Sequence, residues 1–265
     1  MKKLNVGIDF GVIFMKKKYE SFEDWKEYYE RKDIQYKICF HTRYREVIFI
    51  KHLKDKKIVI RPIKIFKPHH FKYWYNRLGL DKLFFDMYIS NASVKLPPLT
   101  SKLDEMKKYR GYLDKHWDEL LTGYDFFVDI DADEKDEQKA INYGKLIKED
   151  LLSDGYGKTT PVTIWTTGSG GVHVVLKGRF NPFFVKEKVM NICCKHSIPM
   201  SNPVKIVNEK KFIPVEGEWK PLELGEKIPS PVKPYVDVSV YDIRRIRRVP
   251  YCLHSKTGKP MLPVF

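Results

Sequence analysis

The sequence has few cysteines, and none lies in a spacing typical of a metal cluster or a disulfide framework. Only four occur in 265 residues, at positions 39, 193, 194 and 252. No pair has the C-x2-C spacing of structural zinc sites. We therefore expect reduced, partly buried thiols in a cytoplasmic protein. A metal cluster of Cys193, Cys194 and His196 is the alternative, and the adjacent cysteines make it awkward.

The chain also lacks a membrane-spanning or secretory pattern. No stretch approaches the roughly 20 apolar residues that a bilayer-spanning helix needs. The N-terminal MKKLNVGIDF begins with lysines, but Asp9 interrupts its apolar run and no small-residue cleavage site follows. Internal repeats and low-complexity tracts are absent as well. These absences predict a soluble cytoplasmic protein with no membrane partner.

The composition is that of a folded, strongly basic protein. Hydrophobic residues make up 43% and aromatic residues 14%, which excludes a disordered chain. Lysine and arginine number 49 against 34 acidic residues, so the net charge is +15. Such a surplus suits a polyanionic partner, because cations displace the counterions condensed on phosphates. The net charge alone does not show whether the protein binds a polyanion.

The middle of the chain has the pattern of a mixed sheet. FFVDID predicts a strand, DEQKAINYGKLIKEDLL a helix, and VTIWT and VHVVLK two strands joined by a glycine-rich turn. The helix places Ala140, Gly144, Ile147 and Leu151 on one stripe, as a helix packed on a sheet requires. YVDVSV predicts a last strand, and the basic segment DIRRIRR follows it.

The N-terminal part predicts a second lobe. Residues 20–35 and 101–120 have helical periodicity, and YREVIFIKH and KKIVIRPIKIF are typical of two strands joined by a charged turn. Residues 199–234 carry seven of the sixteen prolines, which favours an extended surface excursion. We predict one α+β module, with an N-terminal α/β lobe over 1–120 and a catalytic sheet lobe over 121–265.

Two aspartates in FFVDID are candidate metal ligands. Alternate side chains of a strand share a face, so the apolar residues point into a core while Asp129 and Asp131 point to the other side, with Cα atoms about 7 Å apart. Carboxylates this close repel each other unless a cation lies between them. Two-metal phosphoryl transfer uses such a pair. A strand that ends in an acidic, helix-capping turn explains the same letters.

YVDVSV supplies a third candidate carboxylate. Its valines alternate with Asp237 and Ser239, which places Asp237 on the polar face of the predicted strand. Asp242 is the rival, but it begins the basic segment, where capping explains it. Three acids on polar strand faces suit a divalent-metal site.

The turn TTGSGGVHVV is a candidate phosphate site. Its three glycines expose backbone N–H groups between two apolar strands, and no Lys-Ser/Thr follows as in a Walker loop. His173 lies on the face opposite the valines and could donate to a phosphate oxygen. A tight hairpin with a satisfied histidine is the simpler interpretation of the turn alone.

The last motif is the cation-rich DIRRIRRVPYCLHSKTGKP. Arginine forks bind phosphates bidentately, although a run of charges is usually a solvated face. Its place directly after the third carboxylate favours a role beside metal-bound phosphates.

In this order the motifs resemble the archaeal-eukaryotic primase superfamily. That family has an acidic D-x-D strand, then [S/T]-G-x-x-G-x-H, then a strand aspartate, a basic segment and P-x-x-L-H-x-K-T-G. The corresponding stretches here are 129–131, 167–173 and 237–258. VDVSVY is similar to stand-alone primase-polymerases, whereas LHSKTG and, loosely, YISNASVKLPP are similar to replicative small subunits. The resemblance covers residues 124–176 and 235–260.

The resemblance implies a two-lobed catalytic core with an RRM-like sheet and a template-dependent nucleotidyltransferase activity. The implied ligands of two Mg²⁺ or Mn²⁺ ions are Asp129, Asp131 and Asp237. The implied nucleotide-binding residues are Thr167, Ser169, His173, Arg248, His254 and Lys256, and the implied nucleic-acid-binding residues are Arg244, Arg245 and Arg247. The implied partners are a single-stranded DNA template, NTPs or dNTPs, and a primase large subunit or a fused C-terminal domain.

Several features depart from the family pattern. Thr167 stands where serine is usual, and Ser169 and Gly170 replace a basic residue often found in the second motif. The zinc knuckle of many replicative small subunits has no evident counterpart, and the chain stops soon after the third motif, as a compact enzyme or a trimmed catalytic domain would. A gap-filling polymerase without initiation, a metal-dependent nuclease and an inactive nucleic-acid-binding subunit are the alternatives. The basic P-x-x-L-H-x-K-T-G segment argues against the nuclease, which needs no triphosphate site.

Overall fold

The structure, a computed structural model, describes residues 19–95, 111–112, 115–116, 119–223, 230–242 and 244–265. Its α-helices in these ranges are α1 Phe22–Glu30, α2 Lys32–Thr42, α3 Pro68–Arg77, α4 Glu137–Ser153 and α5 Pro182–Lys195. Its strands are β1 Val47–His52, β2 Lys57–Ile63, β3 Phe85–Ser90, β4 Ala92–Val94, β5 Leu121–Tyr124, β6 Phe126–Asp131, β7 Thr163–Thr166, β8 Val172–Leu176, β9 Lys205–Val207, β10 Lys210–Val215, β11 Glu218–Pro221, β12 Tyr235–Val236, β13 Ile246–Arg248 and β14 Leu262–Val264. Across these described ranges, no helix has the length and apolar character needed to cross a bilayer.

A four-stranded antiparallel sheet, in the order β13-β3-β1-β2, forms one half of the molecule. The strands predicted from YREVIFIKH and KKIVIRPIKIF are confirmed as its β1 and β2. An aromatic-rich core that includes Trp25, Tyr29, Phe71 and Phe85 joins the sheet to α1, α2 and α3. The helix predicted over 20–35 is two helices, because Arg31 has an extended ψ of 124° and interrupts the run.

A five-stranded sheet, in the order β12-β6-β8-β7-β14, forms the other half. The order β6-α4-β7-β8-α5-β12 along the chain, with β6 and β8 central, is the RRM-like β-α-β-β-α-β arrangement. The strands predicted from FFVDID, VTIWT and VHVVLK and the α4 helix are confirmed, and the stripe of Ala140, Gly144, Ile147 and Leu151 is buried against the sheet. The predicted α+β class is therefore what the molecule has.

The C-terminal segment connects the two sheets. β12 pairs with β6 of the second sheet, β13 pairs with β3 of the first, and β14 returns to β7 of the second. Residues 246–248 therefore belong to the sheet built mainly by the N-terminal half, although they lie within the stretch 121–265. Ion pairs explain this crossing, because Arg248 of β13 pairs with Asp86 of β3 and Arg247 of β13 pairs with Asp125, directly before β6.

The proline-rich stretch 199–234 contains an unpredicted antiparallel sheet, β11-β10-β9. Its hairpins turn on Asn208–Glu209 and on Glu216–Gly217, and all four residues have positive φ. Two-residue turns of this conformation match the twist of hairpin strands. The helix predicted over 101–120 lies largely outside the described residues.

Candidate active site

Strand β6 presents the first two carboxylates on the face opposite α4 and α5. Val128 and Ile130 are fully buried against the helices, whereas Asp129 and Asp131 are partly exposed on the other face. His173 on β8 is the cross-strand partner of Asp129, and its Nε2 lies 3.4 Å from Asp129 Oδ1. His173 is only 5% exposed, and its Nδ1 is a buried atom without a hydrogen-bond partner among the described residues.

The electrostatics of Asp131 indicate crowded negative charge. Burial raises the pKa of its carboxyl, and the charges of Asp129 and Asp237 raise it further. Lys233 and a hydrogen bond from Tyr235 oppose the rise without cancelling it. The raised pKa of Asp131 marks a concentration of negative charge that a cation would stabilise.

Asp237 lies beside β6, but not in a strand. The predicted strand YVDVSV ends at Val236, because Asp237 Oδ1 accepts the Ser239 N–H at 2.9 Å and turns the chain. Its backbone N–H still donates to the Asp129 carbonyl at 2.8 Å. Ser201 Oγ donates to Oδ1 at 2.8 Å, and Arg245 Nη2 lies 3.6 Å from Oδ2.

The same contacts set the charge state of Asp237. Burial acts to raise the pKa of its carboxyl, but hydrogen bonds from Ser239 and Ser201 and the charge of Arg245 outweigh burial, so the pKa is lowered. The rival, Asp242, accepts the Arg244 N–H at 2.7 Å, the local capping contact expected of it. Asp237 is thus ionised and adjacent to β6, and it already has a cationic neighbour.

The acids fit a divalent ion by chemistry more than by geometry. An all-oxygen donor set suits Mg²⁺ or Mn²⁺, and the raised pKa of Asp131 indicates charge that such an ion would neutralise. Across the described residues, however, no three or more His, Cys, Asp or Glu side chains lie close enough together to form a metal site. Asp237 would have to leave Arg245 to complete one. The four cysteines are buried and form no disulfide among the described residues, and the structure gives no support to a Cys193–Cys194–His196 cluster.

The glycine turn is held by its own hydrogen bonds and by close packing against the backbone that follows β6. Thr167 N–H and Thr167 Oγ1 both donate to the Gly171 carbonyl, at 2.8 and 3.0 Å, and Thr167 Oγ1 lies 3.1 Å from Ser169 Oγ. Gly170 has φ +97°, and a Cβ there would lie 2.4 Å from the carbonyl carbon of Asp133. The turn therefore packs against the residues that lead from β6 into α4, and its two hydroxyls lie together.

Arg248 enters the site from the other sheet, held by an acid that the sequence analysis missed. Its Nη1 donates to Asp86 Oδ1 at 2.6 Å, and its Nη2 donates to the Tyr88 hydroxyl at 3.3 Å. Asp86 also accepts the Ser255 hydroxyl and bonds His52 Nε2, both at 2.7 Å. Asp86 thereby fixes both β13 and the loop after it.

His254 lies on that loop and is uncharged at neutral pH. Burial and the positive charge of Arg248 lower the pKa of its imidazole to about 4. The Lys256 N–H donates to His254 Nδ1 at 3.2 Å, so Nε2 carries the proton and is the available donor. Thr257 Oγ1 donates to the Gly168 carbonyl at 2.7 Å and joins this loop to the glycine turn.

The three arginines predicted to contact nucleic acid occupy different places. Arg247 is buried, and its guanidinium donates to Asp125 Oδ2 at 2.6 Å and to Asn91 Oδ1 at 2.8 Å, a position that favours a structural role. Arg245 faces Asp237. Arg244 is exposed.

One cleft of about 420 Å³ brings most of the predicted residues together. The predicted residues in its lining are Asp129, Asp131, Thr167, Ser169, His173, Arg247, Arg248, His254 and Lys256. Tyr88, Lys233 and Thr257 also line it and were not predicted. The available signal was the polar Asp86 and Tyr88 on one face of the apolar strand FDMYIS, because a buried carboxylate requires a partner. Asp237, Arg244 and Arg245 are not among the described lining residues.

Comparison with solved structures assigns this geometry to a fold class. The polymerase domain of ligase D from Mycobacterium tuberculosis, solved in complex with DNA, matches with a TM-score of 0.55 and 10% sequence identity, over 92% of this chain and 81% of that chain. No protein-family model matches the sequence, and no curated protein is significantly similar to it. The predicted α+β fold is confirmed, and the polymerase domain shares it.

Proposed function

We propose that this chain is a template-dependent nucleotidyltransferase that synthesises primers or extends chains on single-stranded DNA. The proposal rests on one cleft that both sheets line. Asp129 and Asp131 come from β6 of the second sheet, and Arg248 and Lys256 come from β13 of the first sheet and the loop after it. Acids that hold divalent ions beside cations that hold phosphates are what a nucleoside triphosphate requires. The fold likeness to a polymerase domain solved with DNA supports the same reaction class.

The side chains have separable roles in this proposal. Arg248, oriented by Asp86, binds the triphosphate; neutral His254 and the hydroxyls of Thr167 and Ser169 donate to its oxygens. Asp129 and Asp131, joined by Asp237 once it leaves Arg245, would hold two divalent ions. When bound, such ions activate the attacking 3′-hydroxyl and stabilise the pyrophosphate that leaves. No side chain is needed as a general base.

The test is nucleotide incorporation on a single-stranded template with Mn²⁺ and either NTPs or dNTPs. The wild-type chain should form product, and the double variant Asp129→Ala with Asp131→Ala should form none. Both side chains are partly exposed, so the double variant should remain folded, which its melting temperature checks. Asp154→Ala, which removes an exposed acid paired with Lys188, should leave incorporation unchanged. Synthesis by the double variant would refute the site.

Two further arms separate the alternatives. A labelled template incubated without nucleotides should stay intact, whereas a nuclease that uses the same acids would shorten it. A template without a primer should yield dinucleotides if the enzyme initiates chains. Extension of a primed template alone would favour a gap-filling polymerase of the same fold.

A further inference from the structure

Helix α2 carries large aromatic rings on the side that faces away from the core. Ile34, Ile38 and Cys39 are buried beneath it, whereas Tyr36 and Phe40, one helical turn apart, are 65% and 70% exposed. Tyr44, just beyond the helix, is 62% exposed, and its ring lies 5.8 Å from that of Phe66. Single exposed aromatics are ordinary, but three large ones at four-residue spacing, with the half-buried Phe66 beside the third, are not. We call Tyr36, Phe40, Tyr44 and Phe66 the α2 aromatic surface.

Cations lie next to three of these four rings. Lys177 Nζ is 4.3 Å from the centre of the Phe40 ring, Lys64 Nζ is 4.5 Å from that of Phe66, and the Arg43 guanidinium is 5.9 Å from that of Tyr44. Protein–protein interfaces are depleted in lysine. Alternating rings and cations are instead the composition of surfaces that bind single-stranded nucleic acid, where bases stack on the rings and phosphates meet the cations.

Positive charge is in excess at the inner edge of this surface. Arg45 and Arg247 share one carboxylate, Asp125, and Lys177 lies close enough to both arginines to be influenced by their charge. Burial and these arginines lower the pKa of Lys177 to about 8, and Asp125 offsets only part of this. Three cations against one acid leave a local surplus that an anion such as phosphate would neutralise.

The surface is connected to the cleft by a row of side chains. Asp129, His173 and Trp165 are opposite one another on adjacent strands, so their side chains share a face. The His41 ring is 5.1 Å from that of Trp165, and the Phe40 ring is 5.3 Å from that of His41. With strands about 4.8 Å apart, Phe40 lies on the order of 20 Å from Asp129 along this row. His173 and Trp165 in this row are buried, so a strand that leaves the cleft would pass over the surface outside the row, across a distance that several nucleotides span.

We infer that the α2 aromatic surface binds single-stranded DNA by base stacking, outside the catalytic cleft. The inference deepens the proposed function, since the strand bound here would be the template that the cleft copies. Phe40 is the ring on which we expect a base to stack, because Lys177 lies over one of its faces and the ring is still largely exposed.

The test is the dissociation constant for fluorescein-labelled oligothymidylate, measured by anisotropy. Phe40→Ala should weaken binding about 5- to 100-fold, the range for loss of one stacked base. Phe40→Leu, which keeps apolar area without an aromatic face, should be nearly as weak, and Phe40→Tyr should restore binding. Phe183→Ala removes a ring that is 79% exposed on α5, on the opposite side of the second sheet, and should have no effect.

Two comparisons make the result decisive. An oligomer of abasic phosphodiesters should bind the wild-type chain more weakly than oligothymidylate, and Phe40→Ala should remove that difference. Unchanged oligothymidylate binding by Phe40→Ala, or equal losses in Phe40→Ala and Phe183→Ala, would overturn the inference. If DNA binding depends on Phe40 but the protein incorporates no nucleotide, the proposed function is refuted and this inference stands. If the protein incorporates nucleotides but its DNA binding does not depend on Phe40, this inference is refuted and the proposed function stands.

Discussion

Replacement of Asp125 by asparagine should destabilise the protein more than any surface change. Asp125 is 1% exposed, and its Oδ2 accepts hydrogen bonds of 2.6 Å from both Arg45 and Arg247. Its Oδ1 accepts the Gly178 N–H at 3.2 Å. Asparagine keeps the shape but leaves two buried guanidinium groups without a counter-charge. Removing one partner of a buried ion pair costs about 3–5 kcal/mol.

The assay is urea denaturation at pH 7. The unfolding free energies of wild type and variant are compared with the same m-value, the slope of free energy against urea concentration. A loss of about 3–5 kcal/mol would be a large part of a typical stability of roughly 5–15 kcal/mol. Asp33→Asn, which breaks the exposed Arg31–Asp33 pair, is the control and should cost about 1 kcal/mol or less. If Asp125→Asn cost no more than this control, the network would not be what holds the two sheets together.

The same network predicts how stability depends on acid. Burial acts to raise the pKa of Asp125, but Arg247 and Arg45 outweigh burial and lower it. A carboxyl with a lowered folded pKa contributes stability above its unfolded pKa of about 3.9 and loses that contribution as the pH falls through the folded pKa. Wild type should therefore lose stability below about pH 4. Asp125→Asn should lose less over the same range, and parallel pH profiles would contradict the assignment.

Three other outcomes follow from the site. The imidazole of His254 should titrate in NMR near pH 4, and a midpoint near the ordinary value of about 6.5 would contradict its burial beside Arg248. Gly170→Ala should lower the unfolding free energy by at least about 1–2 kcal/mol, because φ is +97° and the new Cβ meets the Asp133 backbone, whereas Gly111→Ala, whose Cβ meets nothing, should be neutral. Arg248→Lys should raise the KM for nucleotide about tenfold, and an equal loss of template affinity would assign Arg248 to the template.

Local periodicity was enough to predict the second sheet. The alternation in FFVDID and VHVVL and the apolar stripe of α4 depend only on residues two to four apart, so the sequence displays them directly. The pairing of β13 with β3 was not predictable in this way. Its register places Arg248 opposite Tyr88, and its side chains bond Asp86 and Asp125, which lie 162 and 122 residues away along the chain.

The candidate site was predictable in its acids and less so in its cations. Period-two spacing places Asp129 and Asp131 on one face whatever surrounds them. For the arginines, adjacency in sequence conceals different partners, since Arg247 bonds Asp125 and Arg248 bonds Asp86, although both line the cleft. The strand predicted from YVDVSV was too long for a related reason. The Asp237 side chain accepts a hydrogen bond from the Ser239 N–H, which competes with strand pairing, and the alternation of valines in the sequence gives no sign of this bond.

The position of β13 explains why a carboxylate outside the cleft should matter to what happens inside it. Arg247 and Arg248 point to opposite sides of one short strand, so the bond of Arg247 to Asp125, directly before β6, fixes where Arg248 stands relative to Asp129 and Asp131. Asp86 fixes the same strand from the first sheet and also holds Ser255, next to His254. The acids come from one sheet and the cations proposed to bind phosphate come from a segment tied to the other. The proposed metal and triphosphate sites therefore need both halves of the molecule, and the spacing between them depends on two buried ion pairs.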